Sequence, residues 1–89
     1  MKSLNIIISG KLNKVGFRYF IKQRAAKFNI TGSVRYKTPN SIFVEACGNS
    51  DELDEFLKYC QLGVPFSEIE KIEVSETQLK DYQTFEVID

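Results

Sequence analysis

Histidine and tryptophan are both absent from this sequence of 89 residues, and cysteine occurs only twice. Without histidine, the chain has neither a His/Cys metal cluster nor a serine or cysteine nucleophile that is paired with histidine. The two cysteines, Cys47 and Cys60, do not have the spacing of metal ligands. We predict that both are buried apolar side chains in a reducing compartment, and the sequence leaves a disulfide between them open.

A net charge is also lacking, because twelve basic and twelve acidic side chains cancel. A nucleic-acid-binding domain usually has a basic excess, so we expect no nucleic-acid partner, and any anion must be bound locally. No apolar run approaches the roughly 20 residues of a membrane span, and no signal peptide is visible. We therefore expect a cytoplasmic protein with no membrane contact.

The residues that are present are typical of a folded domain. Hydrophobic side chains make up 43% of the chain, and seven Phe and four Tyr are large enough to fill a small core. A chain of this length is enough for one domain and too short for two. We predict a single domain over residues 1–89.

Hydrophobic periodicity predicts strands and helices in the order β-α-β-β-α-β, followed by a short extra strand. Leu4, Ile6 and Ile8 alternate as in a strand, whereas Phe17, Ile21 and their followers recur at helical spacing. The predicted elements are strand Leu4–Ser9, helix Phe17–Asn29, strands Ser33–Lys37 and Ile42–Cys47, a helix that starts within residues 48–52 and stops at Gly63, strand Ile69–Val74 and a short strand Thr84–Ile88. This order predicts an α+β, ferredoxin-like sandwich, an antiparallel sheet with two helices on one face.

The loop Lys14-Val15-Gly16-Phe17-Arg18 is the best candidate for an anion site. It runs directly into the first predicted helix, whose first turn has unpaired N–H groups and partial positive charge. A glycine there lets successive N–H groups converge on an anion. Arg18 is unfavourable at this helix end unless a negative ligand is also present, and it could grip a phosphate with two hydrogen bonds. From these residues alone, an exposed arginine at a helix start is the favoured interpretation, because single charges near helix ends are common, and the anion site is the alternative.

Several motifs resemble those of the acylphosphatase family. The segment from Gly10 to Arg18 is similar to the family signature, which ends in Val-Gly-Phe-Arg. Gly32-Ser33-Val34-Arg35 resembles the second family element, Gly-x-Val-x-Asn. Further matches are Gly48, Gly63-Val64-Pro65 and Phe85-Glu86-Val87. The resemblance extends over essentially the full chain.

This resemblance implies a small enzyme that hydrolyses acyl phosphates to a carboxylate and inorganic phosphate. It implies that Arg18 binds the phosphate and stabilises the transition state, and that the backbone N–H groups of Val15, Gly16, Phe17 and Arg18 form the phosphate-binding cradle. It implies no metal and no cofactor. The partner would be a small-molecule acyl phosphate or inorganic phosphate, and we expect a monomer.

Two positions depart from the family pattern. Tyr36 occupies the catalytic position at which the family has an asparagine that positions the attacking water, and Lys14 replaces a loop glycine. Asparagine has a donor and an acceptor on a short stem, whereas tyrosine has one hydroxyl at the end of a ring. Asn40 is expected at the far hairpin tip and so not to replace it. The alternative is therefore a weakly active or inactive member that binds phosphate or acyl-phosphate-like anions through the Arg18 loop.

An RNA-recognition module has the same order of elements and is a third possible function. Such a module stacks bases on aromatic side chains of its two central strands. The first strand, Leu4–Ser9, has no aromatic residue, and the third has only Phe43. The sequence does not favour this function.

Overall fold

The computed structural model describes residues 1–12, 16–63 and 67–88 of the chain. All seven predicted elements are present in the predicted order. They are β1 (Lys2–Lys11), α1 (Phe17–Lys27), β2 (Thr31–Thr38), β3 (Ser41–Gly48), α2 (Ser50–Leu62), β4 (Glu68–Thr77) and β5 (Phe85–Val87). Helix α1 ends two residues before the predicted Asn29, which has a left-handed φ of 58° that no helix can continue.

The strands form one sheet in the order β4-β1-β3-β2-β5. Strand β1 pairs antiparallel with both β3 and β4, and β2 pairs antiparallel with β3, so the predicted antiparallel arrangement is confirmed for β1 to β4. The short strand β5 pairs parallel with β2, which makes the sheet as a whole mixed. The chain leaves β4 at one edge of the sheet and reaches β5 at the opposite edge.

Both helices pack on the same face of this sheet, as predicted. Side chains alternate along a strand, so Leu4, Ile6 and Ile8 of β1 point to one face together with Val44 and its neighbours on β3. These strand residues are buried in a single cluster with residues of both helices. The helical members are Phe17, Ile21 and Ala25 of α1 and Leu53, Phe56 and Cys60 of α2. The two cysteines are buried and free, so there is no disulfide.

The connection between β4 and β5 crosses the opposite face of the sheet. Lys80 Nζ and the Tyr82 hydroxyl each donate to Glu45 Oε2 at 2.8 Å, and the backbone N–H of Lys80 donates to Ser3 Oγ at 3.1 Å. Burial by itself would raise the pKa of Glu45, but the hydrogen bonds from Lys80 and Tyr82 hold it below its ordinary value. These bonds fasten the connection to β1 and β3.

Three segments meet at one end of the sheet, where the candidate site lies. The last residues of β1 pair with the first residues of β3, and Gly10 donates its N–H to the carbonyl oxygen of Asn40 at 2.8 Å. Tyr36 near the end of β2 pairs with Ile42, which in turn pairs with Ile8. Helix α1 begins shortly after β1 ends. In the described part of the chain, no helix is long and apolar enough to cross a membrane.

Candidate active site

Helix α1 begins at a glycine with an unusual backbone conformation. Gly16 is its N-cap and has φ 69° and ψ 27°, which is the left-handed region. Its carbonyl oxygen accepts the first helical hydrogen bond, from Phe20 N–H at 3.0 Å. Phe17 follows with only 1% of its surface exposed, so its ring anchors the first turn in the core. The beginning of the helix is therefore firmly placed.

The first turn of α1 has the charge pattern of an anion site. It contains no acidic residue, and Arg18 is its second residue. Helix α2, in contrast, has Asp51 and Glu52 in its first turn, which compensate the partial positive charge of that end. In α1 this charge and the arginine are combined, as the sequence analysis predicts.

Arg18 lies between two tyrosine rings. Its Cζ is 4.5 Å from the ring centroid of Tyr36 and 5.9 Å from that of Tyr19. Its Nη1 donates to the carbonyl oxygen of Ile88 at 3.4 Å, near the upper limit for a hydrogen bond. The side chain is half-buried. Distances of 4.5 and 5.9 Å to ring centroids are within the range of cation–π attraction.

Tyr36 reaches Arg18 from the sheet. It lies near the end of β2, opposite Ile42, and its half-buried side chain packs against the core. The structure therefore brings together Arg18 and Tyr36, the two positions to which the family resemblance assigns catalytic roles. They come from different elements and are separated by 18 positions in the sequence.

Some predicted site residues lie outside the described residues. These are Val15 of the predicted phosphate cradle, its neighbours Asn13 and Lys14, and Val64-Pro65 of the family resemblance. Asn40 is described and lies in the turn between β2 and β3, at the tip of the hairpin as predicted. Its carbonyl oxygen bonds to Gly10, the first residue of the signature segment, because the β2–β3 turn and the end of β1 lie at the same end of the sheet.

Two neighbours of Arg18 were not predicted. Tyr19 directly follows Arg18 and is 60% exposed, so its position in the sequence is a signal that could have been used. Nothing in the sequence indicates that Ile88 lies close to Arg18. It reaches Arg18 only because β5 pairs parallel with β2 and the Ile88 N–H donates to the Val34 carbonyl oxygen at 2.9 Å.

The described side chains include no group of three or more His, Cys, Asp or Glu that could hold a metal ion. A cavity of about 280 Å³ lies elsewhere, beneath the connection between β4 and β5. Its lining residues are Met1, Thr31, Cys47, Leu79, Lys80, Asp81 and Tyr82. None of these belongs to the arginine site.

The fold and the site together define an α+β sandwich of ferredoxin-like order with an arginine, Arg18, in the first turn of its first helix. The model of the acylphosphatase family matches residues 4–87. This chain belongs to the acylphosphatase family, and it is an acylphosphatase-like hydrolase.

Individual relatives support this assignment over the full length. The chain is 38% identical over 88 residues to an acylphosphatase of Bacillus licheniformis, with 98% of both chains covered. It is 39% identical to an acylphosphatase of Ligilactobacillus salivarius, again with 98% of both chains covered. The crystal structure of acylphosphatase from Bacillus subtilis superposes with a TM-score of 0.95 at 30% identity and covers 100% of both chains. The predicted fold, family and enzyme class are therefore confirmed.

Proposed function

We propose that Arg18 and the first backbone N–H groups of α1 form the site at which this chain cleaves the carboxyl–phosphate bond of acyl phosphates. The products are a carboxylate and inorganic phosphate. The observation that carries the proposal is the position of Arg18, in a helix end that has no acidic residue of its own. Membership of the acylphosphatase family supports the reaction.

Phosphate would bind by two kinds of contact at this helix end. The N–H groups of Gly16, Phe17 and Arg18 belong to the first turn, where helices leave such donors unpaired. Val15 would add a fourth N–H group. The guanidinium of Arg18 presents parallel donors that match two phosphate oxygens. A bound phosphate also reverses the unfavourable interaction between Arg18 and the positive end of the helix.

The reaction requires little covalent participation by the protein. The oxygen of a water molecule forms a bond to phosphorus while the bond from phosphorus to the carboxyl oxygen breaks. The electron pair of that bond leaves with the carboxylate, and the proton of the water passes to solvent or to a phosphate oxygen. Fixed donors stabilise the charge on the equatorial oxygens, and this is the largest contribution that a protein makes to such a step. The absence of histidine is therefore no obstacle.

We also propose that residues 1–89 are a single, monomeric domain that acts in the cytoplasm on a small-molecule acyl phosphate. A single sheet and a single hydrophobic cluster that includes both helices support the single domain. Single-domain proteins typically have one such core. The near-complete coverage of the Bacillus licheniformis relative is consistent with this organisation.

Hydrolysis of benzoyl phosphate tests the proposal. Release of inorganic phosphate should be measured for the parent protein, for Arg18→Ala and Arg18→Lys, and for the matched control Lys22→Ala, an exposed cation one turn further along α1. We expect turnover by the parent and a loss of about 10³-fold in kcat/KM for Arg18→Ala, because transition-state charge loses its donor. Lysine lacks the parallel donors, so Arg18→Lys should also lose most activity.

The control should stay within about twofold of the parent, since the exposed charge of Lys22 is screened by solvent and contributes little. Equal turnover by the parent and Arg18→Ala would contradict the site assignment. The alternative of an inactive phosphate-binding member is not favoured by the comparisons. It would be recognised in the same assay as binding of phosphate without any turnover by the parent.

A further inference from the structure

We propose that the ring of Tyr36 is a positioning element that holds the Arg18 guanidinium for phosphate, and that its hydroxyl has no part in this. The inference rests on the proposed function of Arg18 as the phosphate ligand. It assigns a role to the residue that replaces the asparagine of the family pattern. Tyr36 thereby acts through the arginine and not through the attacking water.

Arg18 and Tyr36 are in direct contact. Arg18 Cζ lies over the Tyr36 ring, 4.5 Å from its centroid. The negative face of an aromatic ring attracts a guanidinium at this distance, and the attraction increases as the pair loses contact with water. Both side chains are half-buried, so the pair is partly shielded.

The side chain of Tyr36 is held more firmly than that of Tyr19. Tyr36 belongs to β2 and pairs with Ile42 of β3, whereas the pairing of β2 with β5 ends at Val34, two residues before it. Its side chain packs against the buried core. Tyr19 is 60% exposed, and its centroid lies farther from Arg18 Cζ, at 5.9 Å. The Tyr36 ring is therefore a more firmly fixed support for Arg18 than the Tyr19 ring.

The contact with the ring is compatible with hydrogen bonding by Arg18. A guanidinium has five N–H donors, and one Arg18 nitrogen donates to the Ile88 carbonyl oxygen. Attraction of the positive charge to the Tyr36 ring requires no N–H donor. A long, flexible side chain that already rests on a ring loses less freedom when it binds an anion. The ring should therefore strengthen phosphate binding and also keep Arg18 aligned in the transition state.

The experiment measures phosphate binding and turnover separately. The dissociation constant of inorganic phosphate is determined by calorimetric titration, and kcat and KM are determined with benzoyl phosphate. The variants are Tyr36→Phe, which keeps the ring, Tyr36→Leu and Tyr36→Asn, which remove it, and Tyr19→Leu as the matched control. Two ringless variants are used so that misfolding of one does not end the test. Because an unfolded fraction would weaken apparent binding, urea denaturation first establishes that each variant is fully folded under the assay conditions. In a fully folded variant, a merely structural loss of stability leaves the dissociation constant unchanged.

We expect Tyr36→Phe and Tyr19→Leu to bind phosphate within about twofold of the parent, and both ringless variants to bind it about threefold more weakly. Tyr36→Leu should also lower kcat about tenfold, because a misplaced arginine is a poorer transition-state ligand. Unchanged phosphate binding in both ringless variants would overturn the inference. Equal losses in Tyr36→Phe and Tyr36→Leu would also overturn it, since the hydroxyl would then be the active group.

The same experiment distinguishes failure of the proposed hydrolysis from failure of the proposed role of Tyr36. A parent protein that binds phosphate but does not hydrolyse benzoyl phosphate would contradict the proposed reaction. Weaker phosphate binding in the ringless variants would still support the positioning role of Tyr36 in that case. A parent that binds no phosphate would overturn both proposals.

Discussion

Gly16 and Gly63 provide a prediction about why the helix ends need glycine. Both have positive φ, 69° and 70°, but their ψ values differ, 27° and −161°. Gly16 is in the left-handed helical region, and a Cβ atom there would meet nothing within 4 Å. We expect Gly16→Ala to lower the free energy of unfolding by about 1 kcal/mol, which is the conformational penalty alone. Asparagine adopts this region readily, so Gly16→Asn should lose less.

Gly63 is the matched control, because its region of the backbone map is nearly exclusive to glycine. A Cβ atom there would also lie 2.7 Å from Ser67 Oγ and 3.4 Å from Phe17 Cε2. We expect Gly63→Ala to lose about 3 kcal/mol, with no recovery in Gly63→Asn. Urea denaturation of the four variants and the parent measures these free energies. A larger loss for Gly16→Asn than for Gly16→Ala would refute the argument, because steric crowding would then dominate at Gly16.

Two further predictions concern buried or partly buried ionisable groups. Burial raises the pKa of the Cys60 thiol from its ordinary 9.0 to about 12. The folded chain therefore keeps a thiol proton that the unfolded chain loses as the pH rises above 9.0. We expect the excess free energy of unfolding of the parent over Cys60→Ala to fall by about 1.4 kcal/mol per pH unit above that value. An excess that is the same at about pH 8 and about pH 10.5 would contradict this. Tyr82→Phe removes a hydrogen bond to Glu45 and should lower the free energy of unfolding by about 1 kcal/mol. It should also raise the pKa of Glu45, which carboxyl NMR measures. An unmoved pKa would show that Lys80 and Arg35 hold it down without Tyr82.

The sequence predicts most of the fold because burial follows its alternation. Leu4, Ile6 and Ile8 are read as one strand face, and all three are buried. The bounds are less predictable where the side chains carry no pattern. Strand β4 extends from Glu68 to Thr77, beyond the predicted Ile69–Val74, because backbone pairing with β1 continues through polar residues. The parallel direction of β5 depends on where the chain crosses the sheet, and three residues do not encode it.

The sequence predicts which residues form the candidate site, but it does not predict the contacts between their side chains. The Gly-Phe-Arg segment before a helical pattern indicates an anion site, and the family resemblance indicates that Tyr36 belongs to it. Neither reveals that the Tyr36 ring lies against Arg18, because this contact depends on two side-chain directions from different elements. The contact of Arg18 with Ile88 spans 70 positions and depends on strand order. Long-range side-chain geometry of this kind appears only in the folded chain.

Titration of the parent protein with inorganic phosphate, followed by amide NMR, tests the central claim most directly. We expect saturable shifts of the Gly16, Phe17 and Arg18 amides, because this helix end carries partial positive charge and has no acidic residue in its first turn. The first-turn amides of α2 are the internal control, because Asp51 and Glu52 compensate that helix end, and they should not move. Shifts confined to the first turn of α1 would support a phosphate site there. Equal shifts at both helix ends, or none at α1, would contradict it.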